Sequence, residues 1–193
     1  MLRNLLTLVA GLLLSVPALS QDQAHVEVFG GYSGQFFGSF ATSNLQGWNA
    51  SATWKFRNGM GIAADFGGYY GTRVERIESS YSLHSFLFGP QFSTGAPRLG
   101  RINLLVHLLA GAARESTTVG IKVTNEQFQV GLRIEDVSNT GFAAALGGGI
   151  DLKASDHVAV RLIQADFLYI DSEHFQESAR GRARVSAGLV FRF

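Results

Sequence analysis

From Gly47 to Gly71 ("GWNASATWKFRNGMGIAADFGGYYG") apolar and polar residues take turns. Trp48, Ala50, Ala52, Trp54 and Phe56 share one parity, and Asn49, Ser51, Thr53 and Lys55 share the other. After Asn58-Gly59 the alternation resumes, with Ile62, Ala64, Phe66, Gly68 and Tyr70 set against Ala63, Asp65, Gly67 and Tyr69. A period of two predicts strands. Asn-Gly between two such runs predicts a hairpin, because a type I′ turn takes positive φ at both central positions. Similar runs recur at Val26 to Ser33, Tyr81 to Phe92, Ile102 to Ala113, Gly141 to Leu152, Val158 to Ile170 and Ala183 to Phe193. With the opening pair, Gly47 to Phe56 and Gly61 to Gly71, that makes eight strands. Each is near the ~9–11 residues with which a tilted strand crosses a bilayer.

The connections alternate too. Those after the second, fourth and sixth strands are short, and the others are longer and more polar. Short turns at one end and long loops at the other are the plan of a transmembrane barrel, with the turns in the periplasm. Between Arg114 and Thr140 the pattern continues through Val119, Ile121, Val123, Phe128, Val130, Leu132 and Ile134. This stretch is too long for a structureless loop and reads as a hairpin rising above the membrane. A wall of ten strands is the alternative.

Volume assigns the faces. An eight-stranded barrel has a lumen just wide enough to be filled by side chains. One set of faces carries Trp48, Trp54, Phe56, Phe66, Tyr70, Phe142, Leu146, Ile150, Leu189, Phe191 and Phe193, too much bulk for that lumen. The other set carries Ser51, Thr53, Gly67, Ala143, Gly147, Gly149, Ser186 and Gly188 with Lys55, Asp65, Asp151 and Arg192. The aromatics are therefore expected in lipid and the charges inside. Trp54 and Phe56 fall near the periplasmic ends, and Trp48, Tyr70, Phe142 and Tyr169 near the outer ends, as two interfacial girdles. The seventh strand breaks parity, since Arg161 is odd while Gln164 and Asp166 are even. One extra residue near Leu162-Ile163, a β-bulge, would turn all three inward. Arg161 is then the expected central cation, with Asp65, Asp151 and Asp166 as its acids.

Composition narrows the address. Charged residues make up only 16% of the 193, with 23 glycines, three prolines and no cysteine. The missing cysteine removes a lipidated N-terminal thiol, a disulfide frame and a thiolate metal site. A net charge of +1 makes no electrostatic case for nucleic acid. Met1-Leu2-Arg3, the apolar run from Leu5 to Val16, and Ala18-Leu19-Ser20 read as a secretory signal cut after Ser20. The expected plan is a signal over residues 1–20 and a single outer-membrane β-barrel domain over residues 21–193.

With these features assembled, the chain resembles the small outer-membrane β-barrels, the group of opacity-type adhesins and OmpA-like barrel domains. "FLFGPQFS", "GGGIDL", "VRLIQADFLY" and the terminal "GLVFRF" carry the resemblance, which spans Val26 to Phe193. It implies an up-and-down antiparallel barrel in the bacterial outer membrane. It also implies that Phe193, with Phe191 and Leu189 on its parity, is read by the insertion machinery. No peptidoglycan-binding domain is implied.

Candidate chemistry is sparse. The five histidines, His25, His84, His107, His157 and His174, show no metal-ligand spacing, and His107 is expected to face the lumen as a structural residue. Gly147-Gly148-Gly149 lies within a strand with no helix after it, unlike a phosphate cradle. Gly31-Tyr32-Ser33-Gly34 misses the nucleophile-elbow spacing, and the sequon Asn49-Ala50-Ser51 falls inside a strand. Ser172, Glu173 and His174 are adjacent and so cannot converge on one atom as a lipid-cleaving triad would. No cofactor is expected. What remains is a non-enzymatic structural or surface-interaction barrel, with a narrow gated pore as the alternative. Its expected partners are outer-membrane lipid, the insertion machinery and an unidentified extracellular partner met by loops such as the aromatic stretch Gln35 to Phe40.

Overall fold

The computed structural model describes residues 26–37, 45–57, 59–74, 78–94, 101–125, 128–171 and 181–193. The signal segment, His25, Asn58, Phe40 and the Ser172-Glu173-His174 group lie outside the described residues. Eight strands follow in order: β1 Val26–Phe37, β2 Leu45–Arg57, β3 Met60–Val74, β4 Glu78–Ser93, β5 Ile102–Asn125, β6 Phe128–Lys153, β7 Val158–Asp171 and β8 Gly181–Arg192. Each pairs antiparallel with the next, and β8 returns to β1, so the barrel is closed. Closure leaves no sheet edge around the wall, which a lipid solvent requires. The seam is finished by Val26 and Phe193, whose backbones exchange hydrogen bonds of 3.2 and 2.9 Å.

The wall has eight strands, not ten. The stretch from Arg114 to Thr140 continues β5 and β6 as one ladder, from Arg114↔Thr140 up to Asn125↔Phe128. Two of the loops expected to be long are strand as well. β3 and β4 pair up to Val74↔Glu78, and Gln35, Phe36 and Phe37 belong to β1 and pair with β8. In the β5–β6 and β3–β4 extensions the local cause is the same: Ser, Thr, Val and Tyr residues suit a ladder as well as a loop, and a paired neighbour settles the choice.

At the opposite end Gly59 makes the β2–β3 turn with φ +79°. A Cβ there would also lie 2.2 Å from the Ser93 carbonyl oxygen, so glycine is required twice. The bulge in β7 is present. Arg161 faces Gly188 and Gln164 faces Ser186, which leaves Leu162 and Ile163 opposite the single residue Ala187. Both point outward, and Arg161, Gln164 and Asp166 are all buried.

The outer surface is an apolar band: Trp54, Phe86, Phe88, Leu108, Leu146, Phe167 and Phe193 are each half exposed or more. The lumen departs from expectation. Small residues and charges share it with Phe29, Leu45, Tyr69, Leu83, Leu87, Leu105, Leu109, Leu168 and Ile170, all buried. β4 and β5 are apolar on both faces, so parity alone could not say which leucines fill the inside.

Candidate functional site

The polar core of the barrel is one connected set of ions. At the turn end, Glu27 holds Lys55 at 2.7 Å and Arg192 at 2.9 Å. Arg192 lies 4.0 Å from Asp151, and Asp151 binds Arg161 through both its oxygens, at 2.8 and 3.3 Å. Arg161 also stacks over the Phe29 ring, 4.5 Å from its centroid. Its Nη1 donates to Gln164 Oε1 at 2.6 Å, and Gln164 Nε2 donates to Asp166 Oδ2 at 2.9 Å.

Asp166 opens onto the centre. His107 Nε2 lies 2.8 Å from its Oδ1, and Arg184 Nε donates to its Oδ2 at 2.6 Å. Arg184 Nη1 reaches across to Asp65 Oδ1 at 2.7 Å, and Asn49 holds the other Asp65 oxygen at 2.9 Å. Beside this hub, Ser33 links Tyr69 and Ser186, at 3.2 and 2.7 Å. Gly147 makes room for the hub, because a Cβ there would sit 2.0 Å from Asp166 Oδ1. Gly147 thus leaves space for the Asp166 side chain of the neighbouring strand, while Gly148 and Gly149 are crowded first by the backbones of β5 and β7.

A second group sits toward the other mouth. Arg182 Nη2 donates to Glu115 Oε1 at 2.5 Å, and the Tyr81 hydroxyl donates to the same oxygen at 2.6 Å. Along β5 the inward residues run His107, Leu109, Gly111, Ala113, Glu115, and along β7 they run Asp166, Leu168, Ile170. On these two strands apolar residues stand between the central ions and the outer group, while on β8 the inward residues Arg182 and Arg184 follow one another.

Among the described luminal residues, the acids Glu27, Asp65, Glu115, Asp151 and Asp166 match the bases Lys55, Arg161, Arg182, Arg184 and Arg192 one for one. Pairing of this kind is what keeps buried charges tolerable.

All seven residues expected in the luminal network, Lys55, Asp65, Asp151, Arg161, Gln164, Asp166 and Arg192, point inward. Arg161 is not their centre. It takes Asp151 directly and reaches Asp166 only through Gln164, while Asp65 and Asp166 both belong to Arg184. The side chains of Arg161 and Asp65 start from distant strands, and Arg184 on β8 stands nearer to both acids. Arg184 and Glu27 join the network, and Arg182 and Glu115 form the second group, without having been singled out by the sequence. The inward parity of Arg182, Arg184 and Arg192 along β8 is the signal that could have found the two arginines.

Trp48, Trp54, Phe56, Tyr70, Phe142, Leu189, Phe191 and Phe193 face outward and are exposed, and Tyr169 faces outward half-buried. Among the described residues no group of three His, Asp or Glu is placed to hold a metal.

No protein-family model matches the sequence, and no curated protein matches it either. Solved structures do match. Neisserial surface protein A (NspA) is similar at 12% identity and TM-score 0.58, over 87% of this chain and 96% of that one. Ail, the attachment invasion locus protein of Yersinia pestis, is similar at 16% identity and TM-score 0.54, over 87% and 96%. A major outer membrane protein from Thermus thermophilus is similar at 8% identity and TM-score 0.57, over 86% and 99%. NspA and Ail are small eight-stranded outer-membrane β-barrels, and this chain has their fold: a closed, all-antiparallel, up-and-down barrel of eight strands.

Proposed function

We propose that this barrel resides in the bacterial outer membrane, is not an enzyme, and meets a partner outside the cell with the end that carries the β5–β6 hairpin. The observation that carries the reading is the contrast between the two ends and the filled middle. The middle is filled with paired charges and leucine. β5 and β6 run 24 and 26 residues against 14 and 12 for β7 and β8. About ten extra residues at ~3.3 Å each give roughly 30 Å of additional strand. That length serves no bilayer crossing and suits contact beyond the membrane. Ail, of the same fold, is by its name an attachment and invasion protein. On this reading the signal over residues 1–20 is removed on export, and Leu189, Phe191 and Phe193 present the insertion machinery with its outward-facing apolar row.

The chain has no cysteine, so single engineered ones report cleanly. Thr124→Cys at the hairpin tip should react with a membrane-impermeant maleimide on intact cells, and Ser155→Cys in the β6–β7 turn should not. Labelling of Ser155→Cys alone would invert the orientation. A steady wild-type conductance in planar bilayers would replace the closed barrel with a narrow pore, and phospholipid hydrolysis by the purified barrel would replace it with an enzyme.

A further inference from the structure

The outer face carries a feature that the lumen does not explain. The ladder register places Trp48, Gly68, His84, Arg114 and Thr140 side by side in one row across β2 to β6. One step toward the turn end, the next row is Ala50, Phe66, Phe86, Ala112 and Phe142. Across β2 to β6 the outward surface thus passes from an apolar row, which ends beside the exposed Asp171 of β7, to a row with two basic side chains within a single pair of residues. A groove of about 320 Å³ lies at this step, lined by Trp48, Phe66, Phe86, Ala112, Arg114 and Thr140, among others.

The groove is shaped by small and large residues in register. Phe66 and Phe86 pack with centroids 4.8 Å apart, while Gly68 and Ala112 keep the floor low. The Trp48 indole lies over Gly68, 2.7 Å from where a Cβ would stand, and so forms a side wall. At the rim, His84 Nε2 lies 3.2 Å from the Tyr70 hydroxyl. Arg114 is exposed, and its described hydrogen bond goes to the neutral Ser138 Oγ at 3.3 Å. Among the described residues no carboxylate is paired with it. A guanidinium with no carboxylate partner among the described residues, set above an outward apolar floor, invites an anionic head group, and a planar fork suits phosphate.

We propose that this groove binds a phosphorylated glycolipid of the outer leaflet, with an acyl chain along Phe66, Phe86 and Ala112 and a head-group phosphate on Arg114, helped by Thr140 and His84. The inference rests on the outer-membrane reading above. Its occupant is a lipid because the floor is continuous with the lipid-facing band. It is an outer-leaflet lipid because the row holding His84, Arg114 and Thr140 lies on the β5–β6 hairpin side of the apolar floor.

The test uses the full barrel in nanodiscs loaded with bis-phosphorylated lipid A, dephosphorylated lipid A of the same acylation, or phosphatidylglycerol, with retained lipid counted by native mass spectrometry. Wild type should retain bis-phosphorylated lipid A roughly tenfold better than the dephosphorylated form, the scale of one charge-assisted contact. Arg114→Gln should erase that preference, and Arg114→Lys should keep part of it. Arg101→Gln, which removes an exposed charge at the other end, should leave it intact. Equal retention by wild type and Arg114→Gln, no phosphate preference, or equal retention of phosphatidylglycerol would each overturn the proposal. Heat-modifiable mobility and Thr124→Cys labelling are read in parallel on every variant. If they fail in the wild type, the outer-membrane reading falls and this inference with it; if they hold, a negative lipid result counts against the groove alone.

Discussion

Arg184→Met should be the most damaging single change in the lumen. Arg184 is fully buried and gives Asp65 and Asp166 their shortest cationic contacts, at 2.7 and 2.6 Å. Methionine keeps much of the length and removes the charge. Asp166 would retain His107 and Gln164, but among the described residues Asp65 would retain only Asn49. Breaking a buried pair by removing one partner costs ~3–5 kcal/mol, because the other charge is left uncompensated. Two acids lose a partner at once here, which places the cost near the top of that range. Arg161→Met should cost less, since Asp151 keeps Arg192 at 4.0 Å. The double variant Arg184→Met/Asp65→Asn removes the less supported of the two stranded charges and should recover part of the loss, a coupling of ~0.5–3 kcal/mol. Urea unfolding in lipid vesicles reads all of these. The only two tryptophans, Trp48 and Trp54, both face outward, against the vesicle lipid in this assay, and report its loss directly. Arg184→Met within ~0.5 kcal/mol of wild type, the range of an ordinary surface change, would refute the reasoning. So would an Arg161→Met variant that is the less stable of the two.

Ala52 faces outward at mid-strand, so on the proposed membrane reading Ala52→Arg should lower stability by ~2–4 kcal/mol while Ala52→Leu is near neutral, both read as urea midpoints in vesicles. Phe193→Asp should leave export intact and stop assembly, because it places a carboxylate on the outward apolar row at the β1–β8 seam; heat-modifiable gel mobility of membrane fractions decides it. In the exposed β6–β7 turn, a hydrogen bond from Lys153 at 2.6 Å, together with its charge, holds the Asp156 carboxyl below its usual pKa. A lowered carboxylate pKa favours the fold above the unfolded value and ceases to do so as pH falls through the folded one. Lys153→Gln should therefore move the Asp156 titration upward toward the ordinary aspartate value, seen by NMR, with no measurable change in unfolding because the pair is exposed.

Side-chain parity was legible in the sequence because it is a local property. Trp48 to Phe56 can be sorted into two faces from residue order alone, and the break at Arg161 demanded a bulge wherever lipid lay on one side. The partners across the lumen were not legible, because they depend on register and stagger summed around the wall. Asp65 and Arg184 are 119 residues apart, and nothing in either neighbourhood says that β3 and β8 bring them to one height. Parity narrowed the acids and bases to a small set, and the closed ladder chose the pairs. The leucines show the complementary limit. Where β4 and β5 are apolar on both faces, alternation carries no information, and Leu83, Leu87 and Leu109 turn inward because the pleat inherited from their charged neighbours leaves them no other face. His107 and Glu115 are inward on β5, so the odd positions between them must be inward too. The apolar section of β5 between His107 and Glu115 is thus a consequence of placing polar side chains at two heights on a strand whose intervening residues are hydrophobic. Leucine and alanine line that section on β4, β5, β6 and β7, and an ion passing through the lumen would have to break paired charges and also move past those apolar walls. The proposal that this barrel is closed rests on both features together.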